Sequence, residues 1–149
     1  MAEIGDQAVG HVGGGVRYAL VIGDEDRVIN ESTRHSVRLL KKEGYEVYLI
    51  GPYPNRKADH YAPAEEDRMR PLLACLKARV TDKDELVVHV SSHGFPNGHI
   101  AGLEAVCPPD KETCDREDLS SFIDIPNYRK RTVIMETCYG GVWAARFLE

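Results

Sequence analysis

The sequence predicts an α/β fold, a three-layer αβα sandwich built on a mainly parallel sheet. Four runs rich in β-branched and apolar residues, at 16–22, 45–50, 86–91 and 131–136, have the composition of buried strands. Between the first three lie two stretches of helical character, 33–43 and 65–80, so strand and helix alternate. The strand runs at 86–91 and 131–136 also stop at polar and glycine-containing sequence, where an open α/β sheet gathers a site at the carboxyl edge of its strands.

Taken in order, residues 1–15 are polar, acidic and Gly-rich. They lack the apolar centre of a secretory signal and read as a flexible tail before a domain spanning 16–149. The strand at 16–22 closes on Gly23-Asp24, and a polar loop follows. The helix at 33–43 takes Ser32 as its N-cap and Gly44 as its stop. After the strand at 45–50, residues 53–64 carry prolines around an Asn-Arg-Lys and read as a surface loop. Met69, Leu72, Leu73, Leu76 and Val80 recur at helical spacing behind an acidic first turn, which defines an amphipathic helix over 65–80. The charged series at 82–85 reads as a solvated turn, and the strand at 86–91 then runs into His93. Asn97-Gly98 suggests a hairpin, 107–111 a loop around two prolines, and 115–123 a short helix broken at Pro126-Asn127. The strand at 131–136 follows, and 142–148 begins one more helix. No phosphate-binding glycine motif follows the first strand, which leaves nucleotide binding without a motif.

With 149 residues, 42% hydrophobic and 29% charged, the chain has the size and composition of one globular domain. A net charge of -5 argues against nucleic acid or an anionic membrane as partner, and no apolar run is long enough to span a bilayer. Cys75, Cys107, Cys114 and Cys138, with no secretory signal, read as free thiols in a reducing, cytoplasmic setting. Cys107 and Cys114 lack the second pair that zinc needs, so neither a metal nor another cofactor is expected.

Two stretches carry the chemistry: LVVHVSSHG at 86–94 and RTVIMETCYGGVW at 131–143. If their strands are parallel neighbours, His93 and Cys138 leave the sheet at one edge as a base and a thiol, the requirement for cysteine nucleophilic catalysis. The bland alternatives are a loop histidine, a buried thiol and, for Glu136, an exposed strand-end carboxylate. Gly94, Gly140 and Gly141 beside them favour the catalytic reading, since they leave backbone N–H groups open to a ligand. His89 falls inside the strand pattern and reads as a satisfied sheet histidine, Arg34 first as a helix-surface arginine, and Cys75 as filler.

A hydrophobic strand ending in His93-Gly94, followed by one ending in Cys138, resembles the caspase-like cysteine peptidases. Among them it is most similar to the legumain type: Glu136-Thr137-Cys138 looks like the Glu-Ala-Cys of those enzymes, and Tyr128-Arg129-Lys130 precedes the strand as in their pattern. The resemblance covers about 17–149 and implies a caspase-like sheet acting on a polypeptide substrate. It implies that Cys138 attacks the peptide carbonyl, that His93 moves the proton, and that the N–H groups of Gly94 and Cys138 hold the oxyanion. It also implies that Glu136 lines the primary specificity pocket, with Ser92 in the substrate site. A carboxylate there suits Arg or Lys at P1, or Asn if an arginine balances it. Arg34, in the pair Arg34-His35, looks like that arginine, and Asn30 is the candidate for orienting the histidine.

Caspase-like domains continue past the nucleophile with further strands, whereas eleven residues follow Cys138. The sheet is therefore expected to be incomplete on its C-terminal side, the chain being the large fragment of a processed peptidase, a truncated form of one, or a minimal form completed by a C-terminal small subunit or a homodimer. Two other readings stand beside the peptidase: a non-catalytic caspase-like scaffold binding along its sheet edge, and a flavodoxin-like regulatory domain with a metal at Asp24 and Asp26.

Overall fold

The computed structural model describes residues 15–95, 110, 112 and 123–138. Their elements are β1 (Arg17–Ile22), α1 (Arg27–Lys42), β2 (Glu46–Ile50), β3 (His60–Ala62), α2 (Glu66–Arg79), β4 (Glu85–Ser91) and β5 (Lys130–Glu136). All the strands are parallel, in the order β3-β2-β1-β4-β5. The chain builds outward from β1 to one edge, then returns to the other flank of β1 to lay down β4 and β5. That reversal, between β1 and β4, is where an open α/β sheet leaves a crevice at its carboxyl edge.

Period-two side-chain alternation divides the apolar strands between two cores. Ala19, Val21, Val47, Leu49 and Val87 pack with Val37 and Leu40 of α1. Tyr18, Leu20, Ile22, Tyr48, Ile50, Leu86, Val88 and Val90 pack with Met69, Leu73 and Leu76 of α2. The sheet is thus flanked by helices in an αβα arrangement. Central strands covered on both faces need the continuous apolar runs that the sequence shows. Among the described residues no helix is long and apolar enough to cross a membrane.

Gly44 ends α1 as expected. At φ 87° its N–H donates to Lys41 O at 3.1 Å and the N–H of Tyr45 to Leu40 O at 2.9 Å, a turn open to a residue without Cβ. The start of α1 differs from the sequence reading. The helix begins at Arg27, and Asp26 caps it by accepting from the N–H of Val28 at 2.9 Å and of Ile29 at 3.4 Å. Ser32 is inside the helix instead of capping it.

Residues 53–64 are not all loop. Asp59 accepts from the Val47 N–H and from Lys41 Nζ, both at 2.8 Å, and so sets His60–Ala62 against β2. Three residues are too few for a strand pattern to be read from sequence. Nor is the turn at 82–85 fully solvated, because Asp84 is buried and its carboxylate accepts from Val16 N and Thr81 N, each at 2.7 Å. β5 alternates where a wholly buried strand was expected. Val133 and Met135 pack on the α2-side core, while Thr132, Ile134 and Glu136 are exposed on the other face. The expected hairpin at Asn97-Gly98, the loop at 107–111 except Asp110, helix 115–123 except Ile123 at its end, the helix at 142–148 and residues 1–14 of the tail lie outside the described residues.

Candidate active site

The carboxyl ends of β1, β4 and β5 supply the site. Ser91 of β4 is paired with Glu136 of β5, and the ladder runs one step further through the Ser92 N–H, which donates to Glu136 O at 3.2 Å. His93 and Cys138 each stand two residues beyond that matched pair, so they leave the same edge on neighbouring strands. The two exits are in close contact. A Cβ built on Gly94 would overlap the Cys138 carbonyl oxygen and come within 3.1 Å of Thr137 Cβ. Glycine at 94 is therefore needed for packing, whatever its N–H does for a ligand. Both Cys75 and Cys138 are free thiols at exposed residues. Thr137 Oγ1 is buried without a hydrogen-bond partner.

Two aspartates after β1 hold the histidine. Asp24 is buried, and its Oδ2 accepts from Ser92 Oγ at 3.0 Å and the His93 N–H at 2.9 Å, while Oδ1 accepts from the Asp26 N–H at 3.2 Å. It therefore ties the exit of β1 to the exit of β4. The ring belongs to Asp26, whose Oδ2 accepts from His93 Nε2 at 3.0 Å. This bond is the main reason that the His93 pKa is raised, with the charges of Asp24 and Asp26 adding to it. The same bond, with the N–H groups of Val28 and Ile29, lowers the pKa of Asp26. An imidazolium facing a carboxylate is thus favoured, with Nε2 the ring nitrogen that Asp26 occupies.

Glu136 has found a different partner from the one the family pattern implies. Its Oε1 accepts from His89 Nε2 at 2.8 Å and from Ser32 Oγ at 3.3 Å. His89 is the sheet histidine the sequence suggested, with a side chain 7% exposed, and Glu136 is what satisfies it. Arg34 does not join them. It lines a cavity with Asn30 and residues of the β2–β3 connection, and two residues of α-helix turn it about 200° from Ser32. Asn30 lies in that cavity also, so the group orienting His93 is Asp26 and not Asn30. Ser92 is buried and bound to Asp24, which makes it part of the support beneath His93.

Asp24 and Asp26 are thus the residues that hold His93, and the peptidase reading of the sequence does not include them. The available signal was two acids directly after a strand, read there only as metal ligands. Their oxygens instead accept from N–H and O–H donors, and among the described residues no group of three His, Cys, Asp or Glu is arranged to hold a metal ion. A scan against models of known protein families finds no match. A search of curated proteins likewise gives no significant match.

Proposed function

We propose that this is a caspase-like cysteine endopeptidase domain of the legumain type, with Cys138 as nucleophile and His93 as its proton carrier. The observation that supports it most is the parallel pairing of β4 with β5 in a register that matches Ser91 to Glu136, two residues before each candidate catalytic group. A second support is the fixed His93–Asp26 pair, a base oriented by a third group.

In this reading the Cys138 thiol yields its proton to His93, and the sulfur forms a bond to the scissile carbonyl carbon. The carbonyl oxygen becomes an oxyanion facing the N–H groups of Gly94 and Cys138. Collapse breaks the C–N bond, and the His93 imidazolium protonates the departing amine. Water then attacks the thioester, giving its proton to His93. The C–S bond then breaks, the acid product leaves, and His93 returns the proton to the sulfur. Asp26 keeps Nε2 occupied throughout, so Nδ1 does the proton transfer.

Glu136 Oε1 is shared by His89 and Ser32, which leaves Oε2 for a substrate. With Arg34 on another side of α1, no arginine among the described residues balances this carboxylate, and the preferred P1 residue is Lys or Arg over Asn. A reducing, cytoplasmic compartment suits the free Cys75 and Cys138. The test is a P1-scanning fluorogenic peptide set. Hydrolysis after Lys or Arg that disappears in Cys138→Ala supports the reading, and hydrolysis unchanged by that substitution refutes it.

The non-catalytic scaffold is favoured by one observation: Ile134 is 43% exposed on the α1-side face of β5, and no further strand pairs with β5 among the described residues. A small subunit or a second copy completing this edge would serve either reading. Stable assembly through β5 with no hydrolysis of any peptide would select the scaffold.

A further inference from the structure

A cavity of about 410 Å3 opens between the first half of α1 and the β2–β3 connection, lined by Asn30 and Arg34 from the helix and by Tyr53, Asn55, Arg56 and Lys57 from the connection. Three cations and no carboxylate line it, in a chain whose net charge is -5. Cations elsewhere on the surface are paired: Lys41 with Asp59, Arg70 with Glu66 and Arg79 with Glu46. Among the described residues Arg34, Arg56 and Lys57 have no such ion pair.

The walls are built. Asn55 accepts the Lys57 N–H on its side chain at 2.9 Å and the Ala58 N–H on its carbonyl at 3.1 Å, which fixes the turn that carries Arg56 and Lys57. Tyr53 donates its hydroxyl to Glu25 O at 3.0 Å, pinning the ring as a flat wall.

We infer that this cavity binds a phosphomonoester. A phosphate of roughly two negative charges meets three cations, whereas a single carboxylate would leave most of that charge uncompensated. Arginine's planar fork matches phosphate oxygens two at a time. The volume, within the roughly 300 to 1,000 Å3 of small-ligand sites, leaves room for an organic body against Tyr53. The site is distinct from the Cys138 crevice and does not depend on the peptidase reading.

The phosphate has two possible sources, a free nucleotide or a phosphorylated side chain on a polypeptide. Calorimetric titration of the full chain with adenosine 5′-monophosphate and with a phosphoserine peptide, each at matched ionic strength in sodium chloride, tells them apart. The expected result is saturable binding of at least one, weakened about tenfold by Arg34→Ala and by Arg56→Ala, the loss of one charge-assisted contact. Arg38→Ala, on the same helix but outside the cavity, should leave it unchanged. All three side chains are exposed, so circular dichroism should report an intact fold in each variant. Saturation by neither probe, or binding indifferent to both arginine substitutions, overturns the inference. So does equal binding of the same peptide with Glu in place of phosphoserine, which would make the ligand an acidic peptide.

Discussion

His93 Nε2 donates to Asp26 Oδ2 at 3.0 Å, joining the exit of β4 to the capping residue of α1 across 67 positions of sequence. Asp26 therefore serves two partners with two oxygens. Oδ1 holds the first turn of α1, and Oδ2 fixes the ring and its charge. The helix end contributes as well, since a carboxylate at an N-terminus is favoured by the helix dipole.

Asp26→Asn separates these roles, because asparagine caps a helix about as well as aspartate but carries no charge. The His93 pKa should fall from its raised position toward 6.5, as followed by NMR of the ring protons. Stability should change in step. A raised histidine pKa contributes stability that is complete below 6.5 and lost as pH climbs through the folded-state value. A lowered aspartate pKa contributes stability that is complete above 3.8 and lost as pH drops through its folded-state value. The wild type should therefore exceed Asp26→Asn most between pH 3.8 and 6.5 and less on either side, as urea melts across pH would show. A His93 titration unmoved by the substitution would mean that the pair does not form in solution.

Glu136→Ala should cost about 1–3 kcal/mol, because His89 would remain buried without its acceptor. The half-exposed position of Glu136 places the effect toward the lower end. Glu136→Gln, still able to accept through its amide oxygen, should cost less. The readout is the urea midpoint at constant m-value. Equal effects of both substitutions would show that the hydrogen bond is not what matters.

Gly94→Ala should destabilise the domain by about 1–3 kcal/mol, since the new methyl group must displace the Cys138 backbone. Thermal unfolding measures this. A melting temperature equal to the wild type would mean that the two strand exits stand further apart than described.

β1, β2 and β4 were legible because they are covered on both faces, and such strands must be written as unbroken apolar runs. β3 and the first six residues of α1 were not. β3 is three residues long and is held by Asp59 from outside itself, while 27–32 is polar and its cap looked like loop. Moving the helix start to Arg27, behind the Asp26 cap, is what changes the site. Asp26 takes the histidine, Ser32 turns to Glu136, and Asn30 and Arg34 go to the phosphate cavity. The sequence contains all of these residues, but which face of α1 each occupies depends on Thr33 and Val37, the only two side chains this helix buries fully. The adjacency of His93 and Cys138 was readable only as a condition, because a parallel neighbour is chosen by topology and not by either strand's composition.

The central claim is that Cys138 is an activated nucleophile at the shared edge of β4 and β5. Treating the protein with a peptidyl acyloxymethyl ketone bearing Lys at P1, followed by intact-mass and peptide mapping, tests it most directly. The account predicts one adduct, on Cys138, formed much more slowly in His93→Ala and absent in Cys138→Ala. Labelling of Cys75 instead, or an adduct on Cys138 that forms as fast without His93, would contradict it.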